Sequence, residues 1–473
     1  MKRCRVLARP RVSGAWLSAL CLVVSSMAWS QPASTTGLWS PVMHWPISAT
    51  HASLLPDGTV MFFGEFEEGM LPPMRWDPDT DELTELPHPG YNIFCAGHSF
   101  LADGRLLVTG GHVESHVGLP DASLFDPFTA SWVRLPEMNA GRWYPTNTTL
   151  SNGDVLVLSG EVNGSGDINP VPQRYLADSQ TWRTFDGATR DLPYYPRMFL
   201  APDGRLFFAS PWRGTLWFDP EGEGAWTKGP SSNFGGRSYG PAVYMDGKVL
   251  IIGGGDPPTD TVEEIDLTAA TPRWRHVARM SIRRRQHNAT LLPDGSVLVT
   301  GGSSSSGFDT AAGRVAHAET WTPDTNTWKR LADSAGYRGY HSIALLLPDG
   351  RVLTAGGRHD HTAEVFAPPY LFKGPRPVLT SAPDTVTPGT TFDVATPDAG
   401  RISRVTLIAL GSVTHAFDQN QRLLTLEFTR GEGTLELRAP PTNHHAPPGY
   451  YHLFLVDEAG VPSVGHRVRV LTR

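Results

Sequence analysis

His98-Ser99-Phe100-Leu101-Ala102-Asp103-Gly104-Arg105-Leu106-Leu107-Val108-Thr109-Gly110-Gly111 reads as an apolar strand, a two-residue turn and a second strand ending in paired glycines. Asp-Gly and Asn-Gly tolerate the positive φ angles of a tight hairpin. The same turn recurs at Asp57-Gly58, Asn152-Gly153, Asp203-Gly204, Asp246-Gly247, Asp294-Gly295 and Asp349-Gly350. Successive spacings are 46, 49, 51, 43, 48 and 55 residues, the period of a four-stranded propeller blade. The fold class is therefore all-β, with a seven-bladed β-propeller as its main body.

The flanks of the repeat agree. Leu298-Val299-Thr300-Gly301-Gly302 and Leu353-Thr354-Ala355-Gly356-Gly357 repeat the strand after the turn, and Trp132, Trp182, Trp226, Trp274 and Trp328 each begin a short outer strand. The pattern resembles the kelch repeat. The seventh repeat lacks its tryptophan strand, and Leu38-Trp39-Ser40-Pro41 is expected to supply it and close the ring. After Pro375 short alternating segments follow, around Phe392–Ala395, Val405–Ala409, Leu423–Phe428, Leu435–Arg438, Tyr450–Val456 and Val468–Leu471. They have no helical period and suggest an immunoglobulin-like (early-set) β-sandwich. The expected organisation is a signal peptide over 1–30, the propeller over 31–374 and the sandwich over 375–473.

Lys2, Arg3, Arg5, Arg9 and Arg11 precede an apolar run from Ala15 to Trp29, too short to span a membrane well, with Ala28-Trp29-Ser30 as a cleavage signal. The protein is expected to be secreted, or periplasmic or otherwise in the cell envelope. Its formal charge is −7, and −12 once residues 1–30 and their five cations are removed. That balance argues against nucleic acid or an anionic membrane as partner. Cys4 and Cys21 leave with the signal, so Cys95 alone of three cysteines remains. A single unpaired thiol in an exported chain is unusual; its bland reading is a small buried apolar residue.

Innermost propeller strands line a central channel. Eight residues before each turn stand Ala49, Cys95, Tyr144, Tyr195, Ser238, Gln286 and His341, with Tyr340 beside the last. A thiol, several phenols and an imidazole around one axis form a candidate site. Imidazole and phenolate suit tetragonal copper and tolerate a thiolate, but residue types alone do not choose copper over zinc or no metal.

Four motifs resemble the galactose oxidase and glyoxal oxidase family of copper radical oxidases: Phe94-Cys95-Ala96-Gly97, Arg142-Trp143-Tyr144-Pro145, Gly339-Tyr340-His341-Ser342, and Thr414-His415 followed by Asp418 and Gln421-Arg422. The resemblance runs through the propeller and the sandwich. It implies copper held by Tyr144, Tyr340, His341 and His415, and a thioether joining Cys95 to Tyr144 whose sulfur delocalises a tyrosyl radical. It implies two-electron oxidation of a primary alcohol or hydrated aldehyde, with Tyr340 accepting the substrate proton and O2 leaving as H2O2. Catalytic roles thus fall to Cys95, Tyr144 and Tyr340. Tyr195, Tyr239, Arg285 and Gln286 are candidate substrate contacts at the mouth.

Two departures lean toward the glyoxal oxidase branch. The galactose oxidase tryptophan that stacks over the cross-linked ring has Val162 at its expected place, in Leu158-Ser159-Gly160-Glu161-Val162-Asn163, so another aromatic must shield the ring or none does. An N-terminal sugar-binding domain is also expected to have no counterpart, since the first repeat begins soon after the expected cleavage point. His51, His98 and His287 read as structural, and His359-Asp360-His361 as a solvated turn. A closed ring gives no reason to associate, so a monomer is expected. The alternative function is a secreted kelch propeller that binds or scaffolds without a redox centre.

Overall fold

The computed structural model describes residues 32–473; the expected signal peptide lies outside the described residues. Apart from Ala33–Thr36 and a few 3-10 turns the chain is strand and loop. Each Asp-Gly or Asn-Gly turn joins the first two strands of a four-stranded antiparallel unit, as in His51–Leu54 with Val60–Phe63, or Gly97–Phe100 with Leu106–Thr109. Units begin successively at His51, Gly97, Thr146, Arg197, Ala242, Arg285 and Ser342. The N-terminal segment returns to the last one: Leu38 pairs with Ala367 and Trp39 with Phe366.

The recurrent tryptophans latch neighbouring units together. Each indole N–H donates to a carbonyl of the preceding unit: Trp132 to Pro87, Trp182 to Pro136, Trp226 to Ala188, Trp274 to Pro230 and Trp328 to Ala278, at 2.7–3.1 Å. Trp39 does the same to Ala332 at 3.0 Å, so the closing strand brings its own latch. The strand-end glycines serve the same contact. Gly110 (φ +78°) and Gly301 (φ +69°) lie so close to the carbonyls of Arg142 and Arg338 in the next unit that a Cβ would overlap them.

The C-terminal sandwich has one sheet built from Ile402–Ala409, Gly449–Asp457, His466–Val470, Leu423–Thr425 and Thr385–Val386. A second sheet contains Thr391–Ala395, Phe428–Arg430 and Thr434–Arg438. Val394, Val405, Leu407, Leu435, Leu437, Leu453 and Leu455 fill the space between them. The expected segment Leu423–Phe428 is divided between the two sheets, because the chain changes sheet there.

One hairpin leaves this sandwich and enters the propeller. Ser412–Thr414 pairs with Phe417–Asp418 and lies antiparallel to the innermost strand of the first unit, His51 opposite Thr414. His415 and Ala416 form its turn with φ of +48° and +64°, the mirror-image geometry that suits a two-residue hairpin. Gln419 Oε1 then accepts the Asn147 amide at 2.9 Å and the His98 amide at 3.3 Å, while Gln421 bridges Leu291 N–H and Ala289 C=O. The sandwich thereby plugs the hub with a buried loop anchored by side-chain bonds to three innermost strands.

Candidate active site

Six residues leading into innermost strands share the left-handed region: Cys95 (φ +65°), Tyr144 (+69°), Tyr195 (+44°), Tyr239 (+55°), Gln286 (+57°) and His341 (+68°). Non-glycine residues adopt this conformation at a cost of about 1–3 kcal/mol each, and such residues gather at functional sites. In three of them the conformation turns the backbone N–H toward the preceding unit's carbonyl. Tyr144 donates to the Cys95 carbonyl and Tyr195 to that of Tyr144, both at 2.9 Å, and Gln286 to that of Tyr239 at 2.8 Å. Tyr239 rather than Ser238 holds this position in its unit, a one-residue correction to the spacing count.

The Tyr144 hydroxyl is where the donors meet. Tyr340 Oη lies at 2.5 Å, His415 Nε2 at 2.8 Å and His341 Nε2 at 3.4 Å. Both imidazole tautomers can be deduced. Thr414 spends its single hydroxyl proton on the Thr50 carbonyl at 3.0 Å, so it accepts from His415 Nδ1–H at 2.5 Å. His341 Nδ1 meets the buried Glu65 carboxylate, which accepts only. Each Nε2 lone pair is thus left for the centre. A second partner on the far ring nitrogen is the usual support of a metal-ligating histidine.

Burial holds the phenols and imidazoles of the centre in their neutral forms. Burial, with the neighbouring Cys95 and Tyr340, holds the Tyr144 phenol well above its ordinary pKa. Burial also raises the Tyr340 phenol and the Cys95 thiol and lowers both histidines. Burial opposes ionisation of Glu65, yet hydrogen bonds from His341 and His359 hold its carboxyl below the usual range. Among the described residues no three His, Cys, Asp or Glu side chains converge on one point; the donor set is half phenolic. Two phenols and two imidazoles with lone pairs inward fit a tetragonal dication, which would favour loss of the phenolic protons.

Comparison with known proteins bears on this geometry. The glyoxal oxidase N-terminus family matches residues 73–244 and 255–370, and the galactose oxidase-like early set domain matches 376–470. The chain belongs to the glyoxal oxidase and galactose oxidase family. A galactose oxidase of Gibberella zeae is 28% identical over 95% of this chain and 72% of its own length. An aldehyde oxidase GLOX of Vitis pseudoreticulata is 28% identical over 93% of this chain and 98% of its own. A fungal alcohol oxidase solved in complex with copper superposes with a TM-score of 0.85 at 24% identity, covering 92% of this chain and all of the other. That likeness shows the fold.

Within this family fold, Cys95 and Tyr144 share one apolar cluster with Phe94, Trp143 and Tyr195. Cys95 is a free, buried thiol whose Sγ lies 4.0 Å from His112 Nδ1. The shielding aromatic that the sequence left unassigned is Trp143. Its ring stacks on Tyr144 at 3.7 Å and 6°, and its N–H donates to His112 Nδ1 at 3.2 Å. The reason is local: successive strand side chains point to opposite faces, but the left-handed Tyr144 breaks that alternation. The strand end expected to carry an indole supplies the buried carboxylate of Glu161 instead. Glu161 binds His116 Nδ1 at 2.7 Å and the Tyr194 hydroxyl, and His116 covers the outer face of Trp143 at 4.6 Å.

The remaining candidates divide. Tyr195 stacks on Tyr144 at 4.7 Å and donates to the Ala96 carbonyl at 3.0 Å. Tyr239 stands edge-on to Tyr340 at 5.7 Å. Both line a cavity of about 130 Å3 beside Tyr144 and His415. Arg285 and Gln286 do not line it: Arg285 is tied to Asp256 at 2.6 Å and the Gly307 carbonyl at 2.7 Å, while both amide atoms of Gln286 are buried without a protein partner. His51 and His98 form a buried relay, with His51 Nε2 accepting the Cys95 amide at 3.1 Å and His51 Nδ1 at 3.0 Å from His98. His359 is not a free turn residue, because its amide and Nδ1 both engage Glu65. Glu65, His112 and Glu161 carry no motif, since their partners are distant in sequence.

Proposed function

We propose that the protein is an exported copper radical oxidase that oxidises a small primary alcohol or hydrated aldehyde and reduces O2 to H2O2. The observation that carries this reading is the convergence of Tyr340, His341 and His415 on the Tyr144 oxygen, with the Cys95 thiol and the Trp143 ring against the same phenol. Tyr144, Tyr340, His341 and His415 would hold copper, which supplies one oxidising equivalent and a place for the substrate oxygen.

The chain supplies the rest. Cys95 and Tyr144 are read as a thioether, formed by loss of the thiol hydrogen and one ring hydrogen to O2. The sulfur-substituted ring, stacked under Trp143 and backed by Tyr195, stores the second oxidising equivalent as a phenoxyl radical. Tyr340 accepts the substrate hydroxyl proton, and the Tyr144 radical takes a hydrogen atom from the adjoining carbon. Glu65 and Thr414 keep His341 and His415 turned toward the centre throughout. The aromatic walls exclude water, so the radical meets substrate and little else.

A screen of primary alcohols and aldehydes coupled to peroxide detection tests the proposal. The copper-loaded protein releases peroxide in step with carbonyl or acid product, and Tyr144→Phe reduces this at least about 10³-fold, the size of effect expected for a residue whose chemistry is lost outright. Copper uptake with no oxygen consumption on any substrate would refute it. No helix among the described residues is long and apolar enough to cross a membrane; export is read from the basic-apolar start alone.

A further inference from the structure

The cavity beside Tyr144 contains a cation that the mechanism above does not use. Arg197 is 3% exposed and lines this cavity together with Tyr144, His415, Tyr195 and Tyr239. The buried arginines Arg237, Arg284 and Arg338 each have a buried glutamate: Glu263 and Glu319 at 2.7 Å, and Glu364 at 3.2 Å. Arg142 has none, but four carbonyl and amide oxygens absorb its donors. Arg197 has no carboxylate partner among the described residues. Its one short bond runs to the Tyr195 carbonyl at 2.6 Å; those to the Gly240 and His415 carbonyls are 3.3 and 3.5 Å.

An isolated buried cation is costly unless something pairs with it. A guanidinium stays charged in a protein interior. Glu161, which holds the cavity-lining Tyr194, is itself also bonded to His116 and the Gly166 amide. The chain as a whole is acidic, with 47 Asp and Glu against 40 Lys and Arg, which makes a guanidinium met by carbonyls and the Phe417 ring at 5.3 Å, but by no carboxylate, more conspicuous. Guanidinium offers a fork of donors suited to a carboxylate.

We propose that Arg197 makes the inner wall of this cavity an anion subsite, which takes the carboxylate of a small hydroxy acid or oxo acid whose oxidisable carbon faces Tyr144. The inference rests on the oxidase reading above. A cavity of about 130 Å3 equals roughly four waters of liquid volume, so the acid is one of a few carbons. The same subsite retains the carboxylate that forms when a neutral aldehyde is oxidised, so product release from such substrates is slowed.

Matched pairs test this, because glycolate and glycolamide, or glyoxylate and its methyl ester, differ mainly in charge. The wild-type enzyme turns over the anion with a kcat/KM at least about tenfold above its neutral partner, the range of a charge-assisted hydrogen bond. In Arg197→Gln that ratio collapses toward one, and Arg197→Lys restores part of it. Should the variants not fold, calorimetric titration of the metal-free wild-type protein decides: propanoate binds at least about tenfold more tightly than propanamide, with copper absent as a competing ligand. Peroxide release with no preference for the anion, or equal binding of propanoate and propanamide, overturns the subsite and leaves the oxidase reading intact. Absence of peroxide from every substrate, with propanoate still bound selectively, defeats the oxidase reading alone.

Discussion

Glu65 is a residue whose effect is felt through another. It touches no substrate, yet its carboxylate fixes the proton of His341 on Nδ1 and leaves Nε2 free 3.4 Å from the Tyr144 oxygen. Glu65→Gln keeps the shape but removes the charge, and its amide can turn a donor toward His341. Copper affinity is expected to fall about 10- to 100-fold, the usual cost of losing such an outer partner, with a changed copper EPR spectrum in whatever binds. An unchanged affinity and spectrum would remove Glu65 from the site. At this scale the sequence was half legible. Cys95, Tyr144, Tyr340, His341 and His415 stand in recognisable motifs, whereas Glu65 reaches His341 across 276 residues and leaves no local trace. Trp143 was in plain view beside Tyr144. Strand alternation would send neighbouring side chains apart, and only the left-handed φ of Tyr144 brings both rings together.

The hairpin Ser412–Asp418 acts as a unit, delivering His415 from the sandwich to the hub. Its position depends on pairing with His51–Ser53 and on Gln419, whose single oxygen satisfies two buried amides. Gln419→Ala strands both amides, at about 1–3 kcal/mol for each buried donor left unsatisfied. The expected result is a lower thermal midpoint together with weaker copper binding, because His415 loses its fixed approach. A loss of stability with full copper affinity would mean that the hairpin is held by its strand pairing alone. From sequence this loop was visibly polar and specific, and the family motif marked His415. Its pairing with the first unit was not legible, since the partners lie 359 to 364 residues apart and antiparallel register leaves no sequence signature at that distance.

For the molecule as a whole the periodic features were legible: the hairpin turns, the paired glycines and the latch tryptophans repeat because every unit must meet its neighbour in the same way. What breaks the repeat was harder to read, such as the shift from Ser238 to Tyr239 or the division of Leu423–Phe428 between sheets. A pH dependence of stability also belongs to this scale. Burial lowers the His452 pKa to about 4 and that of His98 to about 3, against about 6.5 in the unfolded chain. Between these values the unfolded state binds the protons, so stability is full above pH 6.5 and declines as the pH falls toward 4. His452 contributes about 3 kcal/mol to that decline. Urea midpoints of the metal-free protein at pH 7 and pH 4.5 should show it, and His452→Gln should flatten the difference. A pH difference in midpoint left unchanged by His452→Gln would mean that His452 titrates normally.

The covalent link is the most direct test of the site as read. Intact mass of protein expressed without copper, taken before and after copper loading in air, is predicted to fall by two hydrogens, and peptide mapping should join the Cys95 and Tyr144 fragments. Cys95→Ala and Tyr144→Phe should show no such loss. A wild-type chain that binds copper, sees oxygen and still titrates as a free thiol of unchanged mass would contradict the account.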